Sequence, residues 1–148
     1  MGALTTERIE LDAWRSMTGD SQDGASVEFL GMVRREENGQ AIEQLEYTAY
    51  APMAERLISR LIEEANRRWP VHQVYARHRL GRVAVGEVAV LIGVRAAHRE
   101  EAFTACRFLI DAIKRDVPIW KTAMGIGGTA NSEMRAATFA ARRARSDG

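Results

Sequence analysis

The strongest periodicity lies in the C-terminal third of the chain. Ala102, Phe103, Cys106, Leu109, Ile110 and Ile113 fall on one arc at about 100° per residue, which predicts an amphipathic helix over residues 98–115. Pro118 disfavours helix at Val117 and ends that run. A second helix is predicted after Pro52, which suits a first turn. Its broad apolar arc holds Met53, Ala54, Leu57, Ile58, Leu61, Ile62, Ala65 and Trp69, and Pro70 closes it.

Alternation at period two marks the strands. Residues 26–34 place Val27, Phe29 and Val33 on one face. Residues 42–50 set Leu45, Tyr47 and Ala49 against Gln44, Glu46 and Thr48, and residues 71–80 align Val74, Ala76, His78 and Leu80. Asn38-Gly39, within the polar connection 36–40, signals a hairpin, with residues 42–50 as the returning strand. Residues 88–94 are nearly all apolar, which fits a central strand covered on both faces. Residues 117–121 form a short extended piece, and Gly81 and Gly86 bracket a turn or short extra strand. Near the start, residues 6–11 predict a short strand, a helical turn follows around Trp14, and residues 16–24 read as a loop. The order of strands and helices predicts an α+β fold, a mostly antiparallel sheet covered by two main helices.

Composition narrows the function classes. With 148 residues and 46% hydrophobic content, one domain with a sizeable core is expected. The net charge is +1, so no global field points to nucleic acid or to a membrane surface, and any anion site must be local. The single cysteine excludes an internal disulfide, and no apolar run reaches the length of a membrane span. A cytoplasmic location is the expectation.

Local cation density changes that picture. His98, Arg99, Arg107, Lys114 and Lys121 surround the last predicted helix and the turn after it. Lys114 falls at the edge of the apolar stripe, where lost hydration and neighbouring cations favour a neutral amine. The turn at Pro118 brings Lys121 back towards it. Such a cluster suits an anionic ligand. His98 would open a helix, a poor place for an imidazolium. His78 reads as a core histidine and Cys106, mid-stripe, as a buried thiol. No histidines or carboxylates have metal-ligand spacing, so no protein-bound metal is expected.

The same segments carry a resemblance. Ala97-His98-Arg99, Asp111-Ala112-Ile113-Lys114 and Val117-Pro118-Ile119-Trp120-Lys121 together resemble the catalytic (large) subunit of molybdopterin synthase, the MoaE family. Matching pieces upstream are Gly24-Ala25 with Phe29-Leu30-Gly31-Met32-Val33-Arg34, Glu46-Tyr47-Thr48-Ala49-Tyr50 with Met53-Ala54, Arg68-Trp69-Pro70, His78-Arg79-Leu80-Gly81 and Gly86-Glu87. The resemblance covers about residues 24–121 of one MoaE-like domain, 1–148, and leaves 122–148 as a divergent tail. It implies an α/β-hammerhead fold with a small β subdomain, and a homodimer. The implied reaction inserts two sulfurs into cyclic pyranopterin monophosphate to give molybdopterin. The implied partner is a small ubiquitin-like carrier (MoaD-like) whose C-terminal thiocarboxylate supplies the sulfur, the two kinds of subunit making a heterotetramer. No tightly bound cofactor is implied. The resemblance makes Lys114 and Lys121 the catalytic lysines. It gives substrate binding to Arg34, His98 and Arg99, the last two serving the neighbouring subunit's pocket.

The chain departs from the family pattern after Lys121. Members usually continue with another basic residue and a glutamate, whereas here Thr122-Ala123-Met124-Gly125 follows and the acidic residue is missing. Two other readings stay open at this level: a non-catalytic relative that binds the carrier, and a phosphopterin-binding module without sulfur chemistry. From residue 132 the chain is rich in Ala and Arg, consistent with a short basic helix.

Overall fold

A computed structural model describes residues 2–125. In chain order its elements are β1 (Leu4–Thr5), α1 (Leu11–Arg15), β2 (Ala25–Met32), β3 (Glu36–Glu37), β4 (Gln40–Ala41), β5 (Gln44–Ala49), α2 (Ala51–Arg68), β6 (Val71–Arg79), β7 (Gly81–Ala84), β8 (Val88–Ala96), α3 (Arg99–Asp116) and β9 (Ile119–Met124). The fold is mixed α+β, as the patterning predicts. The main sheet runs β1-β6-β8-β2, parallel between β1 and β6 and antiparallel elsewhere.

β8 shows why its sequence is so apolar. Val90, Ile92 and Val94 point towards α2 and α3 and join the largest core cluster. Leu91, on the opposite face, packs with Ile9 and the fully buried Trp14 of α1. Both faces are therefore covered, and no position between Val88 and Val94 is left for a polar side chain. Gly93 belongs to the α1 side. A Cβ there would lie 2.3 Å from Cε2 of Trp14, so only glycine admits the indole.

Two helices cover the other face. Ile58 of α2 and Leu109 of α3 are fully buried, each contributing about 1.5–3 kcal/mol by burial. The Arg68 guanidinium lies over the rings of Trp69 and Phe108, at 4.6 and 4.8 Å, and pins α2 to α3. The α3 stripe holds at Ala102, Cys106, Leu109, Ile110 and Ile113 but not at Phe103, which is 61% exposed. Phe103 lies at the stripe's edge and lines a shallow groove with Val27 and Phe29 of β2.

A second sheet, β7-β5-β9, is antiparallel throughout and is the small β subdomain. Val33, Ile42, Leu45, Val83, Ala89 and Ala123 form its own apolar cluster. Three local expectations change here. Residues 42–50 do not return along β2: Asn38 and Gly39, both at positive φ (49° and 79°), close a two-residue hairpin of β3 and β4, and β5 departs to the second sheet. The register shift between Gly31 and Met32 sends Val33 into the second cluster, away from Val27 and Phe29 in the first. Residues 6–11 are not a strand. Thr5 Oγ1 accepts the Glu7 N–H at 3.0 Å, turning the chain out of the sheet, and α1 begins at Leu11. The expectations for the tail beyond Gly125 fall outside the described residues.

Candidate active site

The end of α3 sets the site. The Val117 N–H donates to the Ile113 carbonyl at 3.1 Å, closing the last turn, and Pro118 forces the chain into β9. β9 then pairs with β5 so that Lys121 lies opposite Tyr47. Directly opposed residues share a sheet face, so both side chains point the same way. Lys114 comes from the last turn of α3, and Arg34 from the segment after the β2 bulge. These pieces border a cavity of about 350 Å³ where the two sheets meet. Its polar lining is Arg34, Glu37, Tyr47, His78, Lys114 and Lys121; its apolar walls include Leu45, Val90, Ile113 and Ile119.

The cavity holds three cations and one carboxylate. Glu37, only 8% exposed, is paired with Lys121 and lies 3.7 Å from Arg34. Lys121 is half-buried, whereas Arg34 and Lys114 are exposed at the rim. Two further groups are held neutral. His78 is buried, and its Nδ1 donates to the Arg79 carbonyl at 2.8 Å, which fixes the tautomer because a carbonyl only accepts. Its pKa falls from 6.5 to about 4: burial is the main cause, the bond to Arg79 opposes it, and nearby Lys114 adds to the lowering. Tyr47 packs edge-on to His78, centroids 5.0 Å apart, and burial followed by the charge of Glu37 raises its phenol to about 12. At neutral pH the cavity therefore offers fixed positive charge, a neutral imidazole and a protonated phenol. That arrangement can hold an oxyanion and pass protons beside it.

Of the residues singled out from sequence, Arg34, Lys114 and Lys121 come together. His98 and Arg99 do not. They lie exposed at the start of α3, and 16 residues of helix at ~1.5 Å rise separate His98 from Lys114 by about 24 Å. His98 is the N-cap residue but makes no side-chain cap bond. Arg107 is also outside the cavity, exposed and paired with Asp111 at 3.5 Å. Cys106 is buried and its thiol is pushed up to about 11, which disfavours the nucleophilic thiolate. Among the described residues no three His, Cys, Asp or Glu side chains group as a metal site, and no helix is long and apolar enough to cross a membrane. Sequence reasoning missed Glu37, Tyr47 and His78 as cavity groups. The Asn38-Gly39 turn marks the hairpin that carries Glu37, but the burial of Glu37 comes from Lys121, 84 positions away, which no local pattern signals.

A family model described as "MoaE protein" matches residues 4–116. The chain belongs to the MoaE family. It is 41% identical over 120 residues to the molybdopterin synthase catalytic subunit of Nostoc sp., a match covering 80% of this chain and 73% of that one. The crystal structure of molybdopterin synthase from Staphylococcus aureus superimposes with a TM-score of 0.80 at 36% identity, over 87% of this chain and 94% of that one. A structure from Helicobacter pylori, described as a complex of subunits 1 and 2 of molybdopterin-converting factor, shares the fold with a TM-score of 0.72 at 23% identity over 86% of each chain. This MoaE protein is thus an enzyme, a sulfurtransferase of molybdenum cofactor biosynthesis. The family match stops at residue 116, short of Lys121, so geometry carries the placement of that lysine in the site.

Proposed function

We propose that this MoaE protein converts cyclic pyranopterin monophosphate to molybdopterin, taking one sulfur from each of two thiocarboxylated small ubiquitin-like carrier subunits in turn. The observation that supports this reading best is the convergence of Arg34, Lys114 and Lys121 on one cavity beside neutral His78 and Tyr47. Both reactants are anionic. The substrate phosphate needs fixed cations, and the carrier's C-terminal tail needs them to dock. Sulfur transfer releases the carrier as a carboxylate and moves protons. Lys114 is the principal proton-transfer group, Lys121 its partner, and Arg34 a phosphate contact. The chain itself holds no cofactor for this step, because the sulfur arrives on the carrier.

A two-subunit assembly fits the description of the Helicobacter pylori relative as a complex of subunits 1 and 2. Self-association into a homodimer explains the separation of His98 and Arg99 from their own chain's cavity: in a two-fold dimer they reach the neighbouring site, where they bind phosphate and pterin. The setting is the cytoplasm. Mass spectrometry of the product, after mixing the protein with substrate and thiocarboxylated carrier, tests the reading. Gain of two sulfur atoms per pterin is expected; unchanged substrate with a folded protein would reduce it to binding alone.

A further inference from the structure

Glu37 stands in an unusual place. It lies next to an Asn-Gly turn in a polar stretch whose neighbours Glu36, Asn38, Gly39 and Gln40 are all exposed, yet Glu37 itself is 8% exposed. A buried carboxylate is costly unless paired. Its partners are Lys121 and Arg34, two of the three cations that line the cavity. The carboxylate therefore sits where an incoming oxyanion would find both cations. The hairpin that carries it is separable from the rest: β3 and β4 pair with each other and, among the described residues, with neither larger sheet. Val33 and Ile42 anchor its base in the second apolar cluster, so its tip can lift without breaking either sheet's ladder.

We propose that Glu37 is a placeholder carboxylate, a positioning residue that holds Lys121 and Arg34 in place in the empty site and yields them to the oxyanion that enters. No covalent bond changes. The two cations exchange one anionic partner for another, and Glu37 passes into water as the hairpin lifts. This role presupposes an anionic ligand and so rests on the proposed function. The oxyanion is either the substrate's phosphate or the carrier's terminal carboxylate, which share the chemistry that recognises Lys121 and Arg34.

The test uses the full chain with Glu37→Gln, which keeps the shape and removes the charge, and Glu37→Asp, which keeps the charge on a shorter arm. Inorganic phosphate is one probe, titrated by calorimetry. The other is the carboxylate form of the carrier, compared with carrier lacking its terminal glycine, so that the difference isolates the tail. With its internal competitor gone, Glu37→Gln should bind the preferred oxyanion about tenfold more tightly, ~1.4 kcal/mol. Glu37→Asp should stay near wild type. In turnover, KM should fall in Glu37→Gln while kcat does not rise, because Lys121 has lost its guide. In the wild type, the Glu37 carboxyl carbon should shift to its solvated NMR position on saturation with whichever probe binds. A folded Glu37→Gln protein with unchanged or weaker affinity for both probes would overturn the role, as would a Glu37 resonance that stays fixed, a measurement that stands even if the variant does not fold. Charge-dependent phosphate binding without any molybdopterin formed would overturn the proposed activity and leave the placeholder role intact.

Discussion

Acidification should destabilise this protein through His78, by an amount the structure sets. The imidazole is buried against Tyr47, and its pKa falls from 6.5 to about 4. The unfolded chain therefore takes up a proton near pH 6.5, and the folded chain only near pH 4. Between those values the unfolded state binds more protons, so stability rises with pH in that window. The contribution is intact above pH 6.5 and is lost as pH falls towards 4. At about 1.4 kcal/mol per pH unit, a shift of that size is worth about 3 kcal/mol. His78→Asn removes the titration and keeps a donor near the Arg79 carbonyl. Urea unfolding of both proteins across the window isolates the effect, because the other titrating groups cancel in the difference. The advantage of wild type over His78→Asn should shrink by about 3 kcal/mol from neutral pH to pH 4. A pH-independent difference, or an NMR titration of His78 with its midpoint at the ordinary histidine value, would refute the burial argument. Burial sets the sign; of the groups facing His78, the bond to Arg79 favours protonation and Lys114 opposes it.

Lys114→Ala should lower turnover by about 10² or more, the scale of a lost acid-base group, with the melting temperature nearly unchanged because the side chain is exposed; near-normal product formation would sink the assignment. Cys106→Ser should keep sulfur transfer and lose about 1–3 kcal/mol if the buried hydroxyl lacks a partner; a persulfide found on Cys106 by mass spectrometry would reverse that view. Gly93→Ala should cost about 1–3 kcal/mol by overpacking against Trp14, read as a lower denaturation midpoint, and an unchanged midpoint would contradict the close approach. In the proposed homodimer, inactive Arg99→Ala and Lys114→Ala chains, mixed and exchanged, should recover about a quarter of wild-type activity, since about half the dimers would be mixed and each would carry one intact site. No recovery in proven heterodimers would place Arg99 outside the site.

Periodicity in the sequence exposed the elements better than their partners. The unbroken apolar run of β8 announced a strand with two covered faces, and the structure supplies α2 and α3 on one and Trp14 on the other. The stripe of α3 located its buried face because helix packing is decided by local spacing. Strand pairing is not local. Alternation in residues 42–50 identified the inward face of β5 but could not choose between β2 and the second sheet, because the bulge at Gly31/Met32 and the short β3–β4 hairpin decide it. The cations show the same division. Lys114 and Lys121 are close in sequence and share the cavity, since only a turn separates them. His98 and Arg99 belong to the same helix as Lys114, but the rigid length of α3 holds them at its other end. Glu37 was hidden because a charged residue beside an Asn-Gly turn ordinarily faces water, and its burial depends on Lys121, 84 positions away.

Three cations that line one cavity repel one another, and negative charge close to them offsets that repulsion. Among the described residues, two negative contributions near these cations differ in kind. One is the C-terminal end of α3, whose last carbonyls carry the negative end of the helix dipole beside Lys114; this contribution is built into the backbone and remains whatever binds. The other is Glu37, a side chain on a hairpin joined to neither main sheet, and it faces Lys121 and Arg34. The helix end thus adds a permanent contribution at Lys114, and Glu37 gives Lys121 and Arg34 an exchangeable one. An acid-base lysine gains from a fixed environment, because its proton affinity must not drift during the reaction. Cations that bind an anion gain from a partner that holds their geometry and then lets go. The two kinds of negative charge therefore match the two kinds of work that the proposed reaction asks of the site.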